Sequence, residues 1–323
     1  MGGLTRRALT GGLAGLAVTP ARAAAEWPAR TITIFHGFPP GGPSDVVARI
    51  IADGLSQALG QSVIVESRPG ASGTTAAAQV ARAAPDGYTL MVIPSGHPTA
   101  AATFAKLPFR AVADFTMITL ASTYPYVMSV PSATAVHSVA ELVDLGRTRA
   151  TPLTYGTPGT GSGPHLAIEL LALQTKMKVQ HIPFRGSAPA VTELIAGRLD
   201  FMMDPPASMM QFIRDGRLRA LTVSSADHYF ALPDTPTLAE AGIAGFDVTG
   251  WQGLIAPADL PEPIVSRLNG EVRRILAEPA TIERLHAFGN EPRPSTPEEF
   301  KKRIESDIDK WTAVVDKVHF TKI

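Results

Sequence analysis

Apolar positions recur along this chain with two different periods. "TITIFH", Thr31–His36, alternates and puts Ile32 and Ile34 on one face, which predicts a strand. "DVVARIIADGLSQAL", Asp45–Leu59, places Val47, Ile50, Ile51, Leu55 and Ala58 at helical spacing. "SVIVES" predicts a strand, "SGTTAAAQVARAA" a helix, and "YTLMVIP" is a continuous apolar run of the kind a buried parallel strand shows. This βαβαβ order predicts an α/β sheet with right-handed crossovers. The order then restarts: "LTYGT" strand, "HLAIELLALQTK" helix, "VQHIPF" strand, "APAVTELIAG" helix, "LDFMMD" strand. Between the halves lies an extended segment, "DFTMITLASTYPYVMSVP", and a similar strand, "LRALTVSS", leaves the second half. The expected architecture is two α/β lobes, each a mostly parallel sheet flanked by helices, joined by two β crossings that form a hinge. Residues 26–122 and 225–295 are assigned to lobe I, the latter including "LPDTPTLAEAGI" and "FDVTGWQGLIAP"; residues 123–224 form lobe II. Residues 296–323 predict an amphipathic helix packing across the lobes. Thr296 can cap it, Pro297 takes the first position, and Glu299 stands third, as in a capping box.

Composition narrows the chemistry. The 323 residues are 45% hydrophobic and 18% charged, enough for two packed domains. The formal charge is zero and no C2H2, RNP or basic-region pattern occurs, which argues against a nucleic-acid binder. With no cysteine there are no disulfides, thiol nucleophiles, Cys zinc sites or iron–sulfur clusters. The eight histidines show no H-x-x-x-H or H-E-x-x-H spacing, so no metal or cofactor is expected. The first residues, "MGGLTRRALTGGLAGLAVTPARA", have the arginine pair Arg6 and Arg7, an acid-free apolar run to Val18 and an A-x-A site. They predict a secretory signal over residues 1–25, cleaved near Ala23 to Ala25, by either the general or the twin-arginine route. Its removal takes three arginines and no acid, leaving 26 basic against 29 acidic residues, a balance of −3. No later apolar run reaches 18 residues, so a soluble protein outside the cytoplasm is expected.

Two glycine-rich loops carry the functional expectation. "FHGFPPGGPSDVVAR" and "LTYGTPGTGSGPHLAIELL" each run from a strand into a helix start, about 120 residues apart. The first-turn N–H groups of a helix lack intrahelical acceptors and its dipole is positive there, so such a turn can seat an anion. Gly42 with Pro43, and Gly163 with Pro164, predict cap and first helical position in turn. Either loop alone is ordinary punctuation. As a pair they occupy corresponding positions at the carboxyl end of the first strand of two similar lobes, where α/β folds bind ligands. Asp45 in the first helical turn fits an anion seat only if it bonds loop N–H groups, water or a polar ligand group.

Sharper motifs fail. Gly156 and Gly161 match G-x-x-x-x-G, but Ser162 stands where a phosphate-binding loop needs lysine. The dinucleotide fingerprint would need glycine at Pro164, and no G-x-S-x-G elbow surrounds Ser162. A serine hydrolase using Ser162 and His165, with Asp204 as third member, is the enzymatic alternative. A ligand sensor for a membrane receptor is a third reading.

The stretches "FPPGGPSDVVAR", "ESRPGASGTTAA", "APDGYTLMV", "YGTPGTGSGPHLAIELL", "IPFRGSAPAVTELIAGRLDFMMD", "LRALTVSS", "LPDTPTLAEAGIAGFDVTGWQGLIAP" and "LPEPIVSRLNGEV" closely resemble the Bug (TctC-like) solute-binding proteins of tripartite tricarboxylate transport systems. The resemblance spans nearly the whole mature chain. It implies a monomeric, type II-like Venus-flytrap protein of the periplasm, without turnover, which presents a small carboxylate to membrane permease subunits. Residue by residue, it implies ligand contacts from Phe38, Pro40, Gly41, Gly42, Ser44 and Asp45 in the first loop. From the second it implies Thr157, Gly159, Thr160, Gly161, Ser162 and His165, with Asp204 lining the cleft from lobe II. Two features depart from the family pattern: proline at position 40, and "PSGHPTA", where Ser95 and His97 either tune selectivity or cap the next helix.

Overall fold

The computed structural model describes residues 27–323; the expected export signal lies outside the described residues. Lobe I begins with β1 (Ile32–His36), α1 (Pro43–Leu59) and β2 (Val63–Ser67). A 3₁₀ turn, Ala71–Gly73, leads into α2 (Thr74–Val80), followed by β3 (Thr89–Pro94), α3 (Gly96–Thr103) and the long β4 (Phe115–Pro125). Helix α1 starts where Gly42 turns and Pro43 needs no N–H acceptor, and it stops at Gly60, which is left-handed at φ 63°. Its buried stripe, Val47, Ile50, Ile51 and Leu55, packs with Ile32, Ile34, Leu90 and Val92 of the sheet. Each such aliphatic side chain contributes about 1.5–3 kcal/mol on burial.

Lobe II contains β5 (Val127–Pro131), α4 (Val139–Thr148), β6 (Leu153–Thr157), α5 (Gly163–Thr175), β7 (Val179–Pro183), α6 (Ser187–Ile195), β8 (Phe201–Asp204), α7 (Pro206–Arg214) and β9 (Leu218–Val223). The chain returns to lobe I as β10 (Thr249–Pro257), α8 (Glu262–Leu276), α9 (Pro279–Ala287) and the two-residue β11 (Glu291–Pro292), then ends in α10 (Pro297–Lys317). The first sheet has the order β11-β4-β10-β3-β1-β2 and the second β7-β6-β8-β5-β9.

The sheets are mixed rather than mostly parallel. Strands β2 and β3 flank β1 in parallel, as β7 and β8 flank β6, because helices connect them. The crossing strands run antiparallel: β10 against β3 and β4, and β5 against β8 and β9. A strand arriving from the other lobe needs no crossover helix. A second difference concerns residues 225–248, expected with lobe I. They pack on lobe II: Leu238, Phe246 and Val248 join its core with Met128, Tyr155 and Leu166, and Leu238 N–H donates to Val223 O. Only from Thr249 does the chain rejoin the first sheet, opposite Pro125.

Both crossings are fastened by Ser224, which is fully buried. Its N–H donates to Tyr126 O and its Oγ accepts from Tyr126 N–H. The same hydroxyl donates to Val248 O, and the Ser224 carbonyl accepts from Val248 N–H. Helix α10 opens with both halves of a capping box between Thr296 and Glu299. Its Phe300 and Ile304 enter the lobe I core, while Trp311, Val314 and Val315 enter that of lobe II. No helix among the described residues is long and apolar enough to cross a membrane.

Candidate functional site

The two glycine-rich loops face each other across a cavity of about 550 Å³. Lobe I presents Phe38, Pro40, Gly42 and Ser44, with Ser72 and Ser95 beside them; lobe II presents the run Gly159–Gly163. Tyr124 on β4, Tyr126 between β4 and β5, and Gln252 on β10 line it from the hinge. The remaining residues singled out in the sequence do not line it.

In the first loop Asp45 is buried and does not line the cavity. Its Oδ2 accepts from Gly41 N–H at 2.9 Å and from Arg49 Nε at 3.0 Å, and its Oδ1 stands 3.1 Å from His36 Nε2. Burial opposes its ionisation, but the Arg49 guanidinium and the Gly41 N–H outweigh it and hold the carboxyl below its ordinary range. Burial keeps His36 neutral despite Asp45. Of the options open in the sequence, Asp45 thus takes the loop N–H. Gly41 is also off the wall, its N–H committed to Asp45.

The second loop is braced by a neutral imidazole. Gly161 N–H donates to His165 Nδ1 at 3.0 Å, at a φ of +75° that favours glycine. His165 stacks on His181 with ring centroids 3.8 Å apart. Burial, and then the neighbouring His181, push the His165 pKa down to about 3; burial alone puts His181 at about 4. Thr157 is also buried behind the loop: its Oγ1 donates to Gly159 O at 3.1 Å and lies 2.6 Å from His181 Nε2. The helix starts one residue earlier than the sequence suggests. Ser162 caps α5, its Oγ accepting from His165 N–H, so Gly163 and Pro164 are the first two helical residues. Ser162 and His165 therefore do not form a nucleophile–base pair: the hydroxyl serves the backbone and Nδ1 is occupied.

Two further expectations are corrected. Ser95 lines the cavity and its side chain caps no helix, but His97 points away, its Nε2 2.8 Å from Ala111 O and its ring between Phe109 and Phe115. Burial takes its pKa to about 4. Asp204 is fully buried and only its neighbour Pro205 reaches the cavity; Ser208 donates to its Oδ2 at 2.5 Å. Burial raises the Asp204 carboxyl to about 6 against the Ser187 and Ser208 hydroxyls. The tyrosines, Gln252, Phe104 and Ile323 were not anticipated. The aromatic "YPY" inside a crossing segment was the available signal for the first two.

These commitments leave specific donors free. Among the described residues, the N–H groups of Ser44 and Asp45 at the start of α1, and of Thr160 and Gly163 at the start of α5, have no protein acceptor. Of these residues Ser44, Thr160 and Gly163 line the cavity, so each lobe offers amide hydrogen and a helix dipole to the same region. No group of metal-binding side chains occurs among the described residues.

The chain is similar to known proteins over most of its length. Residues 47–320 match the model of the tripartite tricarboxylate transporter family receptor. The structure "R. palustris Rpa4515 with adipate" is 32% identical at a TM-score of 0.79, covering 90% of this chain and 98% of that one. MatC (Rpa3494) from Rhodopseudomonas palustris with bound malate is 35% identical at 0.76, covering 90% and 100%. The periplasmic binding protein BugD is 30% identical at 0.76, covering 91% and 99%. Two α/β lobes around a cleft, in the order of the family's elements and matched over most of its length, show that the chain belongs to the tripartite tricarboxylate transporter receptor family, the solute-binding proteins of the Bug (TctC) type.

Proposed function

We propose that this protein captures a small carboxylate between its lobes, outside the cytoplasm, and presents it unaltered to the permease subunits of a tripartite tricarboxylate-type transporter. The observation that carries this is the pair of helix starts from opposite lobes, with the uncommitted N–H groups of Ser44 in one and of Thr160 and Gly163 in the other, opening on one cavity. Micromolar binding needs about 8 kcal/mol. A helix end gives roughly 0.3–1 kcal/mol, and a hydrogen bond to a charged group about 1.5–3 kcal/mol. Neither loop reaches that scale alone, so the ligand favours the arrangement in which both lobes engage it. The absence of a Ser162–His165 pair supports binding without turnover.

The test is Gly161→Glu, which puts a carboxylate into the wall of the seat. With the acid that most raises the melting temperature in a carboxylate panel, calorimetry should show at least a hundredfold loss of affinity and an unchanged far-ultraviolet spectrum. Parent-like affinity would remove Gly161 from the site and the proposal with it.

A further inference from the structure

We propose that the cleft selects a monocarboxylate with an apolar body over di- and tricarboxylates, and that Phe104 and Ile323 set this preference. The inference rests on the carboxylate-binding reading above and names its substrate class. Among the described residues, no lysine, arginine, histidine, aspartate or glutamate side chain lines the cavity. Its polar side chains are neutral. Ser44, Thr160 and Ser162 belong to the two loops, Ser72, Ser95 and Thr103 lie on the lobe I side, and Tyr124 and Gln252 belong to the crossing strands, with Tyr126 between two of them. The tyrosine hydroxyls stay protonated at neutral pH, since burial raises Tyr124 to about 12 and holds Tyr126 well above its ordinary value.

The rest of the wall is hydrocarbon, chiefly Phe38, Pro40, Ala100, Phe104 and Ile323. The last two are set side by side by the backbone: Ile323 N–H donates to Thr103 O at 3.0 Å and Ala105 N–H to Ile323 O at 2.9 Å, bracketing Phe104. Upstream, Phe320 lies 5.6 Å from the His165 ring. The segment 318–323 therefore joins the brace of the lobe II loop to the end of α3. Ile323 is 52% exposed, a large apolar surface at a cavity edge that an apolar ligand would cover. A first carboxylate can take the free amide hydrogens of Ser44, Thr160 and Gly163. A second, at the other end of the molecule, would lose its hydration against Phe104 and Ile323 with no cation to meet it, and an unpaired charge is costly to bury. Arg185, the exposed cation after Phe184, does not line the cavity.

Hexanoate and adipate test this directly, since they match in length and differ by one terminal methyl against carboxylate. Calorimetry on the parent protein should give hexanoate or benzoate at least tenfold tighter than adipate and malate. Phe104→Arg should reverse the hexanoate-to-adipate ratio by tenfold or more, and Phe104→Leu should preserve it. Ile323→Lys, away from the packed core, should shift the ratio the same way and covers the case in which Phe104→Arg fails to fold. Adipate binding as tightly as hexanoate in the parent overturns the inference and leaves carboxylate capture standing. Hexanamide binding as tightly as hexanoate, or no acid binding at all, overturns carboxylate capture itself.

Discussion

A single added methyl at Gly163 tests whether the lobe II seat must lie where the structure puts it. A Cβ at this position would sit 2.2 Å from Tyr126 Oη, where ordinary contact begins near 3.4 Å. More than 1 Å of movement is needed. Tyr126 cannot supply it: the side chain is 3% exposed within the lobe II core and its backbone is bonded on both sides to Ser224. The first turn of α5 must move instead, taking the Gly163 and Thr160 amides out of line. Overpacking of this kind costs about 1–3 kcal/mol, which as lost affinity is roughly 5- to 150-fold. Removing the hydroxyl relieves it, because the next atom, Tyr126 Cζ, lies at 3.2 Å and needs only a few tenths of an ångström. Calorimetric titration of Gly163→Ala, Tyr126→Phe and the double variant closes a cycle. Gly163→Ala should cost at least fivefold in the parent and less than about twofold in the Tyr126→Phe background. The same loss in both backgrounds, or none in either, would refute the placement of α5 against the hinge tyrosine.

Two more outcomes follow from buried groups. Ser224→Ala removes one donor and one acceptor and strands Tyr126 N–H and Val248 O at the hinge. Denaturant unfolding should show a loss of about 2–4 kcal/mol, and a change below 1 kcal/mol would deny the fastening role. Stability should also fall with acid between pH 6.5 and 4. Folded His97, His165 and His181 titrate at about 4, 3 and 4 against about 6.5 unfolded, so the unfolded chain gains protons first. Asp204, raised to about 6, works the other way between pH 6 and 4 but is one group against three. The net effect is about 1.4 kcal/mol per pH unit for each proton in excess, and a melting temperature that stays level or rises on acidification would contradict the assignment of these histidines as neutral.

The fold was legible where local pattern and tertiary role coincide. The stripe of α1, the apolar run of β3 and the capping box of α10 each state their environment in a few adjacent residues. The mixed sheets were not legible, because the direction of β4 and β10 depends on which lobe the chain comes from, and no local period records that. Residues 225–248 misled for a similar reason. They hold little regular structure, and what ties them to lobe II is long-range: the bonds between Val223 and Pro236 and between Leu238 and Val223, and the burial of Leu238, Phe246 and Val248 in its core. In the site, backbone-rich loops announced themselves through glycine and proline. What sequence could not separate was wall from brace: Asp45, Thr157 and His165 share the loops with Ser44, Thr160 and Ser162, and only side-chain direction divides them.

That division has a physical consequence for capture and release. The ionised and titratable groups of both loops stand behind the wall: Asp45 with Arg49 and His36 on one side, His165 with His181 on the other. Asp45 spends its charge on Gly41 and Arg49, and lobe II uses neutral imidazole for the equivalent task, so neither brace offers a carboxylate to repel the ligand. The proposed seat is left to the Ser44 amide in one lobe and the Thr160 and Gly163 amides in the other. At about 2 kcal/mol for each hydrogen bond to a charged group and about 1 kcal/mol for each helix end, three donors and two helix ends reach the roughly 8 kcal/mol of a micromolar complex, and lobe II alone reaches about 5 kcal/mol. Separating the lobes would therefore weaken binding about a hundredfold or more without any residue changing its charge. A buried arginine in the wall would keep most of its hold on the ligand after opening, and the built-in release would be lost.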